Sequence, residues 1–242
     1  MFNYKLTIQY DGTNYSGWQQ QENAQTVQQV LDEAIQKITR QKIKLIGSGR
    51  TDSGVHALAQ VANFRIENKL DVSRFLYSLN SVLPEDIAVA EICRVEEKFH
   101  ARFDARSRSY LYLISKEKSP FYFRYSYFYS RDLDVLKLNK LSAQFVGEQD
   151  FTSFSKVDTE VNSKMCSVSE ARWWKSKNIF IFKIEANRFL YGMVRAIVGS
   201  ILRAAKSENG EEELKNIFSM KSREAAGDAA PAKGLFLYKV KY

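Results

Sequence analysis

Within "GSGRTDSGVHA", Gly47 to Ala57, one carboxylate, Asp52, stands among glycine, serine and threonine, two residues after Arg50. Such a setting admits two readings. In one, the Asp52 side chain closes its own glycine-rich loop as an Asx-turn. In the other, the small neighbours let a bulky substrate approach a displayed carboxylate. An anionic carboxylate is a poor general acid but a serviceable nucleophile, the role it plays in retaining glycosidases. Those enzymes use two carboxylates, and no second one lies near Asp52 in sequence. A lone aspartate beside basic groups points instead to the glycosidic bond of a nucleoside within a polyanion.

Other chemistries fit the loop less well. Gly49 and Gly54 have the spacing of a Walker loop, but Val55 and His56 stand where Lys and Ser or Thr are required, and no Gly-x-Gly-x-x-Gly occurs. The triplet Asp52-Ser53-Gly54 resembles that of aspartic proteases, whose two carboxylates share one proton. That chemistry needs a second equivalent aspartate, which a dimer would have to supply. It also expects apolar residues before the triplet, where this chain has Arg50 and Thr51.

Composition narrows the classes further. Hydrophobic residues make up 45% of the 242 and only three prolines occur, so the chain is globular and long enough for one large domain or two ordinary ones. Its apolar runs are short and broken by charge, and "MFNYKLTIQY" lacks the blocks of a signal peptide; a soluble, cytoplasmic protein without membrane contact is expected. Cys93 and Cys166 have no paired spacing and the only histidines are His56 and His100, so neither a disulfide framework nor a metal site is expected. Both histidines read as structural. Charge is unevenly divided. Up to Arg106 there are 13 basic and 13 acidic residues, and from Ser107 onward 23 against 15, so the whole excess of +8 lies in the second part. A polyanionic partner met mainly by C-terminal residues would release counterions there.

The elements that must position Asp52 follow from periodicity. Tyr4, Leu6, Ile8 and Tyr10 alternate with Lys5, Thr7 and Gln9, the pattern of a half-buried strand. Thr26 and Gln29 form a capping box ahead of a helix whose apolar face is Val27, Val30, Leu31, Ala34, Ile35 and Ile38. "VANFRI" is a strand, Asp71 to Leu83 a helix stopped by Pro84, and "IAVAEICRV" another strand. Thereafter "SYLYLI" reads as a strand, Val135 to Phe145 as a helix, and "SVSEARWW" with "IFIFKI" as a hairpin around Lys177 and Asn178. Leu190 to Ala205 is a long helix and "LFLYKVKY" a final strand. The acidic "SENGEEELKN" reads as a solvated loop or helix. The aromatic run "SPFYFRYSYFYSR" reads as mainly core and hairpin packing, with RNA stacking as its alternative. The economical description is two halves of one split βαβ design, residues 1–106 and 107–242.

Four blocks carry a family resemblance. "GRTDSGVHA" from Gly49 resembles the signature of the tRNA pseudouridine synthases of the TruA type, and "FHARFDARSRSYLYLI" from Phe99, "ANRFLYGMVRAIVGSIL" from Ala186 and "APAKGLFL" from Ala230 agree in order. The resemblance implies the α+β pseudouridine synthase fold: two ferredoxin-like βαββαβ halves sharing a continuous, mostly antiparallel sheet with a central cleft. The N-terminal half would carry the aspartate loop, and the basic C-terminal half would bind RNA. It implies an isomerase that breaks the N1–C1′ bond of uridine at positions 38, 39 or 40 of the tRNA anticodon stem-loop and rejoins the base through C5. It further implies a homodimer and no cofactor. Transferred residue by residue, Asp52 is the catalytic group, attacking C1′ or removing the C2′ proton. Arg195 is its cationic partner, Tyr110 stacks on the target base and takes the C5 proton, and Arg50 assists extrusion of the base, which costs about a few kcal/mol. This chain departs from the common pattern at Gly192, where many relatives have histidine, and at Leu111, where many have a basic residue. A non-catalytic RNA-binding protein that retains the fold is the rival reading.

Overall fold

A computed structural model describes residues 1–156 and 163–242. In chain order the elements are β1 (Phe2–Tyr10), α1 (Val27–Thr39), β2 (Ile46–Gly47), β3 (His56–Ile66), α2 (Val72–Val82), β4 (Ile87–Val95), β5 (Ser107–Ser115), β6 (Tyr127–Phe128), α3 (Val135–Ser142), β7 (Gly147–Asp150), β8 (Met165–Ser176), β9 (Ile179–Ala186), α4 (Met193–Ala204), α5 (Gly210–Met220) and β10 (Leu235–Lys241). The fold is α+β with mostly antiparallel strand pairs. Its contacts divide it into two compact units, Met1–Arg106 with Leu237–Tyr242, and Ser107–Phe236.

In the first unit β1 lies between β3 and β4, antiparallel to both, and the short β2 extends β3. The alternation seen in the sequence has its expected consequence: Tyr4, Leu6, Ile8 and Tyr10 are buried. They share a core with Leu31 and Ile35 of α1, Phe75 and Leu79 of α2, and Phe64 of β3, whose ring lies 5.9 Å from Tyr4 and 6.1 Å from Phe75. Thr26 caps α1 by accepting the Gln29 N–H at 3.4 Å, while the Gln29 side chain bonds Glu33 at 2.9 Å instead of returning to the cap. Asp71 caps α2, which ends just before Pro84. A buried amide pair, Asn63 donating to Asn3 at 3.0 Å, ties the Phe99–Ala101 segment to these strands, through Asn3 Nδ2 to Phe99 O at 2.9 Å and the Ala101 N–H to Asn63 Oδ1 at 2.9 Å. The C-terminal residues join this unit through the Arg106 N–H to Lys241 O at 2.8 Å and the Tyr242 hydroxyl to Ala101 O at 2.9 Å.

In the second unit the antiparallel order is β5-β9-β8-β7, and β6 pairs with β5 in parallel over two residues. The β8–β9 hairpin turns at Lys177–Asn178, with Lys177 at φ 51°, a left-handed conformation that tight hairpins use. Asn139 of α3 reads the backbone of Trp173 in both directions, at 2.8 and 2.9 Å. Phe145, Phe151, Phe154 and Phe218 form one ring cluster. The acidic "SENGEEELKN" stretch opens α5, which buries Leu214 and Ile217 and places Glu211, Glu212 and Glu213 in its first turn, where the helix dipole favours anions. Helix α4 begins at Met193, three residues later than its apolar pattern starts, because Gly192 at φ 70° caps it. Both cysteines are free, Cys166 buried and Cys93 half-buried.

The aromatic run 119–131 departs from the expected core packing. Phe121, Tyr122, Phe123, Tyr125 and Phe128 are between 40% and 82% exposed, and Tyr129 is buried. Only Tyr127 and Phe128 lie on a strand. The rest form turns, so the rings have no sheet face to pack against.

Asp32 on α1 accepts the Leu45 N–H at 2.9 Å, and burial pushes its carboxyl up from 3.8 to about 6. The folded chain therefore holds this proton more tightly than the unfolded chain, and stability falls as pH rises from about 4 to about 6. An Asp32→Asn chain keeps the acceptor for Leu45 without the buried charge. It is expected to melt higher than the wild type at pH 7 and to lose that pH-dependent fall, as read by thermal denaturation across the window.

Candidate active site

The Asp52 loop runs from β2 to β3 and is held along its whole length. On its entering side, Ser48 donates from its backbone to Val61 O at 2.7 Å and from its hydroxyl to Gln60 Oε1 at 2.7 Å. Gln60 Nε2 donates to Gly49 O at 3.0 Å. Thr51 Oγ1 lies 2.8 Å from the Tyr10 hydroxyl, and Thr51 O accepts the Trp18 N–H at 3.2 Å. On the leaving side, the Val55 N–H closes a turn onto Asp52 O at 3.2 Å, with Gly54 at φ 75°. His56 Nδ1, buried, accepts the Gly12 N–H at 3.1 Å.

The segment Asp11–Trp18 packs against this loop backbone to backbone. Tyr15 O accepts both the Gly54 N–H at 3.3 Å and the Ser53 hydroxyl at 3.2 Å. A Cβ on Gly12 would collide with Val55 O, and one on Gly17, which sits at φ 89°, with Thr51 O. Those two glycines are required by proximity, a feature the local sequence pattern did not reveal. The backbone carbonyl of Asp52 accepts the Val55 N–H, and the segment 11–18 supports the turn by accepting the Gly54 N–H at Tyr15 O. Asp52 itself is half-buried and Arg50 is exposed.

The other residues singled out in the sequence lie in the second unit. Tyr110, on β5 opposite Ile184, is buried, with the Phe189 ring edge-on at 5.0 Å. Arg195, half-buried on α4, donates through Nε to Ala230 O at 2.7 Å, and the Ala230 N–H donates to Arg195 O at 3.0 Å. Tyr112, two residues from Tyr110, donates its hydroxyl to Pro231 O at 2.8 Å, and burial pushes that hydroxyl upward, opposed by the Arg195 charge. Three separated blocks of sequence, around Tyr110, Arg195 and Ala230, thus meet in one place. Leu111 points to the opposite side of β5 from Tyr110 and Tyr112 by strand alternation and is half-buried. A Cβ at Gly192 would meet nothing within 4 Å, so the left-handed backbone and not crowding is what suits glycine there. His100 organises its own turn, accepting the Arg102 and Phe103 N–H groups at 3.2 and 3.3 Å.

Sequence reasoning did not find Tyr10, Trp18 and Gln60 as supports of the loop. Gln60 offered a signal, because a polar residue in the middle of an apolar strand is buried only when its hydrogen bonds are met. Among the described residues, no cluster of three or more His, Cys, Asp or Glu is placed to hold a metal ion, and no helix is long and apolar enough to cross a membrane.

Comparison with known proteins gives this geometry its family. A family model described as tRNA pseudouridine synthase matches residues 6–104 and 141–242. The protein named tRNA pseudouridine synthase A in Clostridium kluyveri is 43% identical over the full length of both chains. That of a Thermoanaerobacter species is 41% identical over 100% of each, and that of Bacteroides fragilis is 41% identical over 99% of this chain and 96% of its own. The two units therefore belong to an isomerase. More particularly, the chain belongs to the tRNA pseudouridine synthase family, whose reaction rearranges uridine within tRNA.

The glycine contacts carry a stability prediction. Gly12→Ala is expected to destabilise by about 1–3 kcal/mol, the usual range for overpacking a filled site. Gly49→Ala, where a Cβ meets nothing within 4 Å, should stay within about 0.5 kcal/mol of wild type. Urea denaturation at unchanged m-value distinguishes the two.

Proposed function

We propose that this isomerase acts on uridine at one or more of positions 38, 39 and 40 in the anticodon stem-loop of tRNA, without a cofactor, as a cytoplasmic homodimer. Asp52 opens the reaction, either by attacking C1′ as N1 departs or by removing the C2′ proton to leave a glycal. The freed base turns and C5 bonds to C1′, with Asp52 expelled from C1′ in the first route or returning its proton to C2′ in the second; the C5 proton then leaves to Tyr110, and N1 gains a proton. No net oxidation occurs, and the atoms of the product are those of the substrate. Arg195 serves as the counter-ion of Asp52, and Arg50, exposed beside the loop, occupies the space left by the extruded base. A guanidinium suits that role because it can stack and hold phosphate together.

The observation that carries this reading is the family match over residues 6–104 and 141–242, which spans both the Asp52 loop and the Arg195 helix. The backbone on both sides of Asp52 is held, by Gln60 Nε2 at Gly49 O and by Tyr15 O at the Gly54 N–H. Also supporting the reading are the anchored Nε of Arg195 and the ring packing of Tyr110. The exposed rings of the 121–128 segment, with the Arg124 guanidinium 5.5 Å over Phe123, supply a surface on which bases could stack.

Asp52→Asn is expected to bind tRNA with affinity close to wild type and to form no pseudouridine. Retained modification would refute the assignment, and mapping pseudouridine in tRNA treated with the wild-type protein reads the positions. Binding to tRNA should also weaken as salt is raised. The logarithmic slope is expected near 0.9 for each phosphate contacted if the stem behaves as a B-form duplex. An affinity independent of salt would oppose a phosphate-dominated contact by the basic residues after Ser107.

A further inference from the structure

The family resemblance accounts for Asp52 but not for what fixes its position. Two buried side chains bracket it. Tyr10, the last residue of β1, places its hydroxyl 2.8 Å from the Oγ1 of Thr51, the residue bonded directly to Asp52. Its ring lies 6.2 Å from that of Trp18, whose backbone N–H holds Thr51 O at 3.2 Å, so Thr51 is gripped by side chain and backbone from one neighbourhood. Gln60, wholly buried on β3, satisfies three partners at once. Its Oε1 accepts the Ser48 hydroxyl at 2.7 Å and the Val61 N–H at 3.1 Å, and its Nε2 donates to Gly49 O at 3.0 Å. The carboxamide thereby fixes the two residues at which the chain leaves β2 for the aspartate.

The apolar pattern of neither strand calls for a polar group at these positions. Tyr10 follows three apolar residues of the same strand face, and Gln60 sits between apolar neighbours, where a methionine or leucine would fill similar space. Both polar ends converge on the same few residues, on the two sides of Arg50.

We propose that Tyr10 and Gln60 are positioning residues for the isomerisation, acting through Thr51 and through Ser48–Gly49 to set where the Asp52 carboxylate meets the ribose. The proposal rests on Asp52 being the catalytic group. Neither side chain touches substrate, so their loss should slow the chemical step and leave tRNA binding alone. A displacement of about 1 Å in a reacting group costs on the order of 100-fold in rate.

The test compares Tyr10→Phe, Thr51→Val, their double variant, Gln60→Glu and Asp52→Asn on full-length protein, each confirmed as folded by circular dichroism. Tyr10→Phe is expected to lower kcat by about 10- to 100-fold with KM for tRNA within about twofold of wild type. The Tyr10→Phe/Thr51→Val double variant should be no slower than the slower single variant, because each single change already breaks the same hydrogen bond. Gln60→Glu keeps the acceptor for Ser48 and Val61, but its carboxyl can donate to Gly49 O only when protonated. Its kcat relative to wild type should therefore be close to one at acid pH and fall as pH rises. Wild-type kcat in the folded Tyr10→Phe and Gln60→Glu variants, or a raised KM at unchanged kcat, overturns the proposal even if Asp52→Asn is inactive. An active Asp52→Asn overturns instead the assignment on which it rests.

Discussion

The aspartate loop depends on one constraint: two stretches of backbone, 11–18 and 51–55, approach each other directly where Gly12 faces Val55 and Gly17 faces Thr51. Gly12 and Gly17 make that approach possible, because any Cβ at either place would strike a carbonyl of the opposing stretch. Contact at this distance lets backbone groups of one segment satisfy those of the other, as Tyr15 O does for Gly54 and Thr51 O for Trp18. A loop rich in glycine and serine is ordinarily a loose one, since such residues lose much conformational entropy on ordering. Here the entropy is offset by hydrogen bonds that are largely buried, and the consequence is a carboxylate presented from a fixed support.

The second unit solves a related problem by other means. Arg195, half-buried, belongs to a helix whose buried residues, Val194, Ile197, Val198 and Ile201 among them, are apolar apart from Ser200. A long cationic side chain among them would have many rotamers, and anchoring Nε on Ala230 O removes most of that freedom while leaving the terminal nitrogens of the guanidinium beyond the anchor. The carbonyl that does this is held in turn, because its own residue donates its N–H to Arg195 O and the adjacent Pro231 O receives the Tyr112 hydroxyl. Sequence blocks separated by more than a hundred positions thus act as one rigid frame.

Elements with a period were legible in the sequence, and contacts without one were not. The strand alternation of Tyr4 to Tyr10, the Thr26 cap and the helix stopped before Pro84 all rest on neighbours a few residues apart, which is where sequence patterns carry their information. The importance of Gly12 and Gly17 depends on a carbonyl some forty residues away, and nothing local marks it. The aromatic run misled for a different reason. Dense rings suggest a sheet face, but Pro120 and the turns after it keep Phe121, Tyr122 and Phe123 off any strand, and exposure follows from the backbone and not from hydrophobicity. The family was legible because the motif around Asp52 is specific, whereas the support of that loop was hidden in the single polar letter of Gln60.

The division between chemistry and support is what this reaction requires. Isomerising uridine demands no oxidant, no activated group and no second substrate, so a protein that performs it has little to supply beyond a few reactive side chains and exact placement in an environment that holds the detached base. Catalysis of that kind is dominated by orientation and by charges fixed in advance. Fixed charges require dipoles that do not reorganise, and buried hydrogen bonds between neutral groups, such as Tyr10 with Thr51 and Gln60 with Gly49, provide these without introducing further charge beside the carboxylate. A lysine at position 60 could only donate, so the Ser48 hydroxyl and the Val61 N–H would lose their acceptor and a charge would be added to the support. Asp52 is the one acidic residue of the segment 47–57, and the side chains that brace the backbone beside it add no charge of their own.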